Sequence, residues 1–207
     1  MSSPESHLIP QRGGAPARSR AATRQRLIAA GTELFASEGL YGVTSTRIAR
    51  RAGVATGTFY LHFRDKETLF REIVFDALGR LRVRQDEAAA GAAPGSAKEL
   101  RLRTEELLAF ADENRSLVRI LFGRGAESVA VAEEVLDEIV PGLERRLAAR
   151  KARGEAPADL HPAVAAQALA AMTTRVIAWW VEDPSRASRE EIVTTLLRMH
   201  PRRAGAA

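Results

Sequence analysis

Apolar residues fall at helical spacing along most of this chain. Leu27, Ile28, Leu34 and Phe35 share one helix face, predicting a helix over about 23–38, with Gly39 placed to end it. Leu69, Phe70, Ile73, Val74, Ala77, Leu78 and Leu81 form a second stripe running from residue 66 into the eighties. Leu100, Leu107, Leu108 and Ala111 predict a helix over about 97–114. Leu117, Ile120 and Leu121 predict a shorter one that stops near Gly123 or Gly125. Val131, Val135, Ile139, Leu143 and Leu147 continue a stripe through Pro141, whose missing N–H and bulky ring predict a kink or a split. Two last helices are expected over 163–182 and 188–200. No segment alternates with period two, so the expected fold class is all-α, with about nine helices.

The breaks between these stripes are rich in small and turn-forming residues. Residues 1–20 hold Pro4, Pro10, Gly13, Gly14 and Pro16 with Arg12, Arg18 and Arg20, and little that could enter a core; a disordered basic arm is expected. The stretches 88–96, 154–162 and 183–185 read as connections.

The stretch 43–66, VTSTRIARRAGVATGTFYLHFRDK, carries a different signal. Thr44 can cap a short helix through its hydroxyl, with Ser45 as an alternative. Ile48 and Ala49 then face inward, while Arg47, Arg50 and Arg51 face out. Gly53 stands where a left-handed residue ends a helix, and Val54 can plug the corner. A second short helix is expected from about 56 to 60 or 62. Two short helices around a glycine-containing turn make a helix-turn-helix. Thr56, Gly57 and Thr58 are small and polar, so the second helix can bring its backbone close to a partner. Its free N–H groups and dipole favour phosphate. Tyr60, His62 and Lys66 add hydrogen-bond donors at its far end.

Charge supports this reading. The net charge is +5 over 207 residues, and residues 1–70, with ten Lys/Arg against five Asp/Glu, hold all of it. A basic third on a neutral remainder suggests a polyanion-binding module joined to something else. Other classes lose ground. There is no cysteine, hence no disulfide framework, thiolate nucleophile or Cys-ligated zinc. His7, His62, His161 and His200 show no metal-binding spacing, and no nucleophile-elbow, P-loop or dinucleotide-binding motif occurs. No catalytic residue, cofactor or metal is expected. Nor is any uninterrupted apolar run of roughly 20 residues present. Residues 1–20 have no apolar run after their basic residues, so no secretory signal or membrane association is expected and the working place is the cytoplasm.

The residues 43–70 resemble the DNA-binding segment of TetR-family transcriptional regulators. The matching positions are Ile48-Ala49, Ala52-Gly53-Val54, Gly57-Thr58-Phe59-Tyr60, His62-Phe63, and Lys66-Glu67 with Leu69-Phe70. The preceding helix matches through Leu27-Ile28, Ala30, Leu34-Phe35 and Gly39. The resemblance implies a three-helix DNA-binding head over 21–80, with the motif at about 44–63. It implies a larger helical body over 81–207 that dimerises and holds a small-molecule effector of unknown class. It implies a ligand-responsive repressor that binds double-stranded DNA at a palindromic operator as a homodimer. By the same resemblance Thr44 and Thr46 contact the DNA backbone, Thr56, Gly57 and Thr58 approach bases or phosphates, and Tyr60, His62 and Lys66 grip phosphates. Arg47 stands where the family often has an acidic residue, which removes a capping box and adds an outward charge, and Arg47 is counted among the expected DNA-binding residues. Ala55 replaces a common capping serine, so Thr56 is expected to cap and the helix to start one residue late.

For the body, Phe110, Ile120, Phe122, Met172, Arg175 and Trp179 are candidates to line a ligand pocket, with Arg119, Arg124 or Arg175 available to an acidic group. Trp180, Ile192, Val193, Leu196 and Leu197 lie on the last two helices, which either pair with their copies in a second subunit or close the core of one chain; the resemblance implies the dimer, and these five residues are its expected interface. A competing reading of the whole is a helical adaptor that docks an acidic protein on its basic head. Sequence preference in DNA binding separates the two.

Overall fold

A computed structural model of the chain describes residues 14–201. Among these residues there are nine α-helices and no strand: α1 (Gly14–Glu38), α2 (Ser45–Arg51), α3 (Thr56–Tyr60), α4 (Lys66–Ala88), α5 (Ala97–Glu113), α6 (Arg115–Phe122), α7 (Val129–Ala152), α8 (Pro162–Glu182) and α9 (Arg189–Met199). A single 3-10 turn at Pro184–Arg186 links the last two. Side chains set several of the starts. Asp65 caps α4 by accepting from Thr68 N at 2.7 Å, and Ser96 caps α5 by accepting from Glu99 N at 3.1 Å. Ser188 and Glu191 close a reciprocal capping box on α9.

Two helices depart from expectation. α1 begins at Gly14, so Arg18 and Arg20 stand on a helix rather than on an arm; Arg12 lies outside the described residues. Arg20 reaches across to the carbonyl of Leu61 at 3.5 Å, which gives the early part of α1 a tertiary contact. α7 runs unbroken through Pro141. Pro141 and Asp137, four residues before it, are both exposed, so the carbonyl that loses its helical partner can bond water instead.

The apolar residues form three clusters. The first joins α1 to α4 around Leu27, Phe35, Ile48, Phe59, Leu69 and Phe70, with Phe35 and Phe70 edge to face at 5.4 Å between ring centres. It extends without a gap to Ile120 and Leu121 of α6 and Val131 and Val135 of α7. The second unites α5, α8 and α9, and the third α7 with α8. α4 passes unbroken across position 80, so head and body share one helix. Arg84 ties α4 to α5 through Glu106 at 2.9 Å and Glu113 at 2.6 Å.

The second cluster corrects the interface expected of five residues on the last helices. Trp180, Ile192, Val193, Leu196 and Leu197 are all buried within the single chain, against Leu108, Ala111 and Val181. They close the core of one subunit and are not available to a second, because the apolar stripe of α9 packs on α5 and α8. α8 is the one described helix with the length and apolarity of a membrane span, at a mean hydropathy of 1.2 over its best window. Its buried residues serve two core clusters, while Val164, Ala168, Ala171, Arg175 and Trp179 stay exposed along one side.

Candidate nucleic-acid interface

The turn between α2 and α3 is fixed by hydrogen bonding. Gly53 N bonds Arg50 O at 3.1 Å and Val54 N bonds Ala49 O at 3.0 Å, the paired pattern of a Schellman stop. That stop requires a left-handed residue, and Gly53 has φ +68°. Val54 is half-buried against the head core. Thr44 caps α2 as the sequence predicts, accepting from Arg47 N at 3.3 Å. At α3 the expectation fails. Ala55 itself takes the cap position, extended at φ −66° and ψ 148° and without a side-chain bond, so the helix starts at Thr56 and Thr56 does not cap it. The N–H groups of this end are thus left without a side-chain acceptor.

The exposed surface of α3 is small. Phe59 is fully buried and anchors the helix, with its ring edge on to Tyr60 at 5.4 Å and near Phe63 at 5.8 Å. Gly57 is exposed, Thr56 and Thr58 half-buried, and Tyr60 56% exposed. A Cβ built on Gly57 would meet nothing within 4 Å, so no internal packing calls for glycine there. By contrast a Cβ on Gly31 would meet Leu69 Cδ2 at 2.7 Å, which explains that glycine by helix packing. Beside α3, Thr44, Ser45, Tyr60, Arg64 and Lys66 line a shallow hollow between the starts of α2 and α4. Thr46 is exposed on α2 outside it.

The cations are less free than the sequence suggests. Lys66 Nζ donates to Leu40 O at 2.7 Å and Val43 O at 2.9 Å, fastening α4 to the α1–α2 loop. Arg47 does not carry a spare outward charge: its guanidinium forks onto Glu38 and also reaches Gly42 O at 3.3 Å. Arg51 is paired with Glu33 at 2.5 Å. Arg50, exposed on α2, makes no side-chain hydrogen bond or ion pair among the described residues; sequence reasoning noted it as outward-facing but did not select it. His62 sits at the far end of α3, where desolvation, then Arg20 and Arg24, lower its pKa. Asp65, held by Thr68 and Arg64, has its pKa lowered to about 2.

The body encloses a cavity of about 560 Å³ between α4, α5, α6, α7 and α8. Phe110 and Phe122 line it as proposed from sequence. Ile120, Met172, Arg175 and Trp179 do not. Ile120 is turned into the head core, and Met172 packs between the second and third clusters. α8 presents Leu169, Ala170, Thr173, Thr174 and Ile177 to the cavity, leaving Arg175 and Trp179 on its outer side, where Arg186 stacks on Trp179 at 5.5 Å. Arg119 bonds Val181 O at 2.9 Å, and Arg124 is exposed; neither lines the cavity.

Known proteins share this arrangement. Residues 27–73 match the profile described as bacterial regulatory proteins, tetR family. The HTH-type transcriptional repressor BepR of Brucella suis is 29% identical over 174 residues, covering 78% of this chain and 81% of that protein. The HTH-type transcriptional regulator YdgC of Bacillus subtilis is 24% identical over 187 residues, covering 87% and 94%. In structure, the chain resembles FadR from Bacillus subtilis in complex with stearoyl-CoA, with a TM-score of 0.71 and 22% identity over 86% of this chain and 97% of that one.

Proposed function

We propose, from the premise that the chain belongs to the TetR family of bacterial regulatory proteins and binds DNA through its helix-turn-helix, that it is a repressor acting as a homodimer on a palindromic operator. α3 enters the major groove by its Thr56–Gly57–Thr58 tip, and Thr44, Thr46 and Tyr60 bond phosphates beside it. His62 and Lys66 stand at the edge of that contact. The observation that carries the reading is Gly57, a glycine on an exposed helix tip that the protein's own packing does not require. Close approach of an outside surface accounts for it. Arg47 serves mainly to hold α2 against α1 through Glu38, and Arg50 takes over as the outward cation of α2.

A two-fold protein reads half-sites about 34–36 Å apart. The exposed side of α8, with Val164, Ala168, Ala171, Arg175 and Trp179, is the face we assign to the second copy, since it is apolar apart from Gln167 and Arg175 and unused by the subunit core. The cavity holds a small-molecule effector. FadR from Bacillus subtilis, which has a similar fold, has been crystallised with stearoyl-CoA, and that supports reading the cavity as an effector site. The DNA target puts the site of action in the cytoplasm.

Selection of bound sequences from a random DNA pool tests the assignment. Enrichment of a palindrome, bound with an affinity that falls steeply as salt rises, is the expected outcome. Salt-sensitive binding without any sequence preference would instead favour a dock for an acidic partner. Sedimentation showing a stable monomer at micromolar concentration would refute the dimer.

A further inference from the structure

The cavity wall changes character in one direction, on three helices at once. Along α4 the lining passes from Val74, Leu78 and Leu81 to Arg82, Gln85 and Asp86. α7 runs the same way, from Val135, Ile139 and Leu143, with Glu138 among them, to Arg145, Arg146 and Arg150, with Leu147 among them. α5 runs opposite to α4, as the Gln85–Arg103, Arg84–Glu106 and Arg84–Glu113 bonds require, and it begins with Glu99 and Arg103 and ends with Leu107 and Phe110. Leu117, Leu121 and Phe122 of α6 close the apolar end. The result is a chamber that is greasy beside the DNA-binding head and charged at its other end.

The charged end has cations to spare. The whole cavity lining holds five arginines against Asp86, Glu99 and Glu138. Arg82 is paired with Glu138 at 2.8 Å, and Arg103 with Asp86 at 2.8 Å and Glu99 at 2.9 Å. Arg145 and Arg146 make no hydrogen bond or ion pair among the described residues. The residue Arg146 is exposed, yet nearby protein strips water from its guanidinium and Arg103 adds like charge, so its pKa is lowered against the weaker pull of Glu99. Arg150 donates one bond, to Pro201 O at 3.1 Å, but its buried Nε has no partner. A buried donor left unmatched is destabilising, and an anionic oxygen would relieve it.

We propose that the cavity takes an amphipathic anion, with a single long apolar chain lying along α4 toward α6 and a carboxylate or phosphate head gripped by Arg146 and Arg150. This rests on reading the cavity as the effector site. Length supports a chain rather than a ring system. Val74 and Asp86 are twelve residues apart on α4, about 18 Å at 1.5 Å per residue. An extended hydrocarbon advances ~1.3 Å per carbon, given single bonds of about 1.5 Å, so about fourteen carbons span that wall. The volume, about 560 Å³, lies in the ordinary range for small-molecule sites.

Calorimetric titration of the full chain tests this with four probes: myristate, myristoyl-CoA, the uncharged myristamide, and the short anion hexanoate. At least one of the two long anions should bind tenfold or more tightly than both myristamide and hexanoate. Whether the carboxylate or the CoA thioester does so identifies the head. Arg146→Gln and, separately, Arg150→Gln should remove most of that preference and leave myristamide binding unchanged. Equal affinity for myristamide, no binding of either long anion, or variants that keep the full preference would overturn the proposal. DNA binding by the same preparations reports that each variant is folded. Wild-type protein that binds operator but shows no anion preference loses only this inference, whereas failure to bind any DNA sequence overturns the regulator reading itself.

Discussion

Replacing Gly57 with alanine sets the stability of the fold against its contact with DNA. Gly57 lies in α3 without a left-handed φ, and an added Cβ meets nothing within 4 Å. The free protein therefore accommodates alanine without strain. Loss of glycine's freedom in the unfolded chain should stabilise the fold by about 0.4–1 kcal/mol. At about 2–4 °C per kcal/mol for a chain of this size, the melting temperature should rise by roughly 1–4 °C. Against DNA the sign reverses. The methyl group occupies space that a groove wall must fill, and a misfit comparable to one wrong base pair costs about 1–3 kcal/mol. That corresponds to a loss of roughly five- to 150-fold in affinity. Thermal denaturation and fluorescence anisotropy on the selected operator measure the two effects on one preparation. A variant that melts higher and binds operator as tightly as the parent would show that α3 does not approach DNA by this tip, and the docking proposed here would be wrong.

Other expectations concern the surroundings of that helix. Lys66→Ala removes two charge-assisted bonds to the α1–α2 loop and should cost about 2 kcal/mol in stability, seen by urea denaturation, besides weakening all DNA sequences alike. An unchanged urea midpoint would place Lys66 outside the fold's support. Asp65→Ala removes the α4 cap and should cost about 1 kcal/mol. Because the folded carboxyl titrates at about 2, its contribution is complete above the unfolded value near 4 and disappears as pH falls from there toward 2; the variant should melt with a flatter acid limb. His62 has a lowered pKa, so folding favours its neutral form. Stability should decline as pH falls below about 6.5, while DNA affinity should rise over the same range if a phosphate draws a proton onto the ring. His62→Gln should flatten both slopes, and parallel slopes in the parent protein would refute a phosphate contact.

What the residues disclosed by themselves was local. Gly53 and Val54 announced the Schellman stop, and Thr44 the α2 cap, because each acts within a few positions of its own place in the chain. The structural role of Lys66 was hidden because its acceptors, Leu40 and Val43, lie 26 and 23 positions away and are carbonyls that any residue would offer. Arg47 looked free because Glu38 reaches it only once α1 and α2 are packed. The stripe on α9 was correctly read as buried in something, but periodicity does not tell whether that something is the same chain or a copy. The cavity was hardest. Its α8 wall is made of Leu169, Ala170, Thr173, Thr174 and Ile177, whereas the sequence reading selects Met172, Arg175 and Trp179, and only the packing of α8 decides which of its faces borders the cavity.

The cavity and the DNA-binding head meet at α6. Leu121 lines the cavity and also belongs to the head core, together with its neighbour Ile120. From the same short helix Ser116 Oγ donates to Ala36 O at 2.9 Å, and just beyond it Glu127 accepts from Tyr41 N at 2.6 Å while its own N–H holds Ile120 O at 2.8 Å. Tyr41 sits in the loop that leads into α2. A close-packed interior does not absorb a displaced side chain locally, so an occupant that shifts Leu121 has to move Ile120, Glu127 or the loop. Glu127→Gln keeps the shape but turns a charged acceptor into a neutral one, weakening its hold on Tyr41. Operator affinity without ligand should then change little, whereas the change in affinity caused by a saturating ligand should shrink by several-fold. Anisotropy titrations with and without ligand measure the ratio. An undiminished ratio in Glu127→Gln, with ligand binding intact, would show that the signal passes instead through α4 or α7, the other described helices shared by cavity wall and head core through Val74 and Val135.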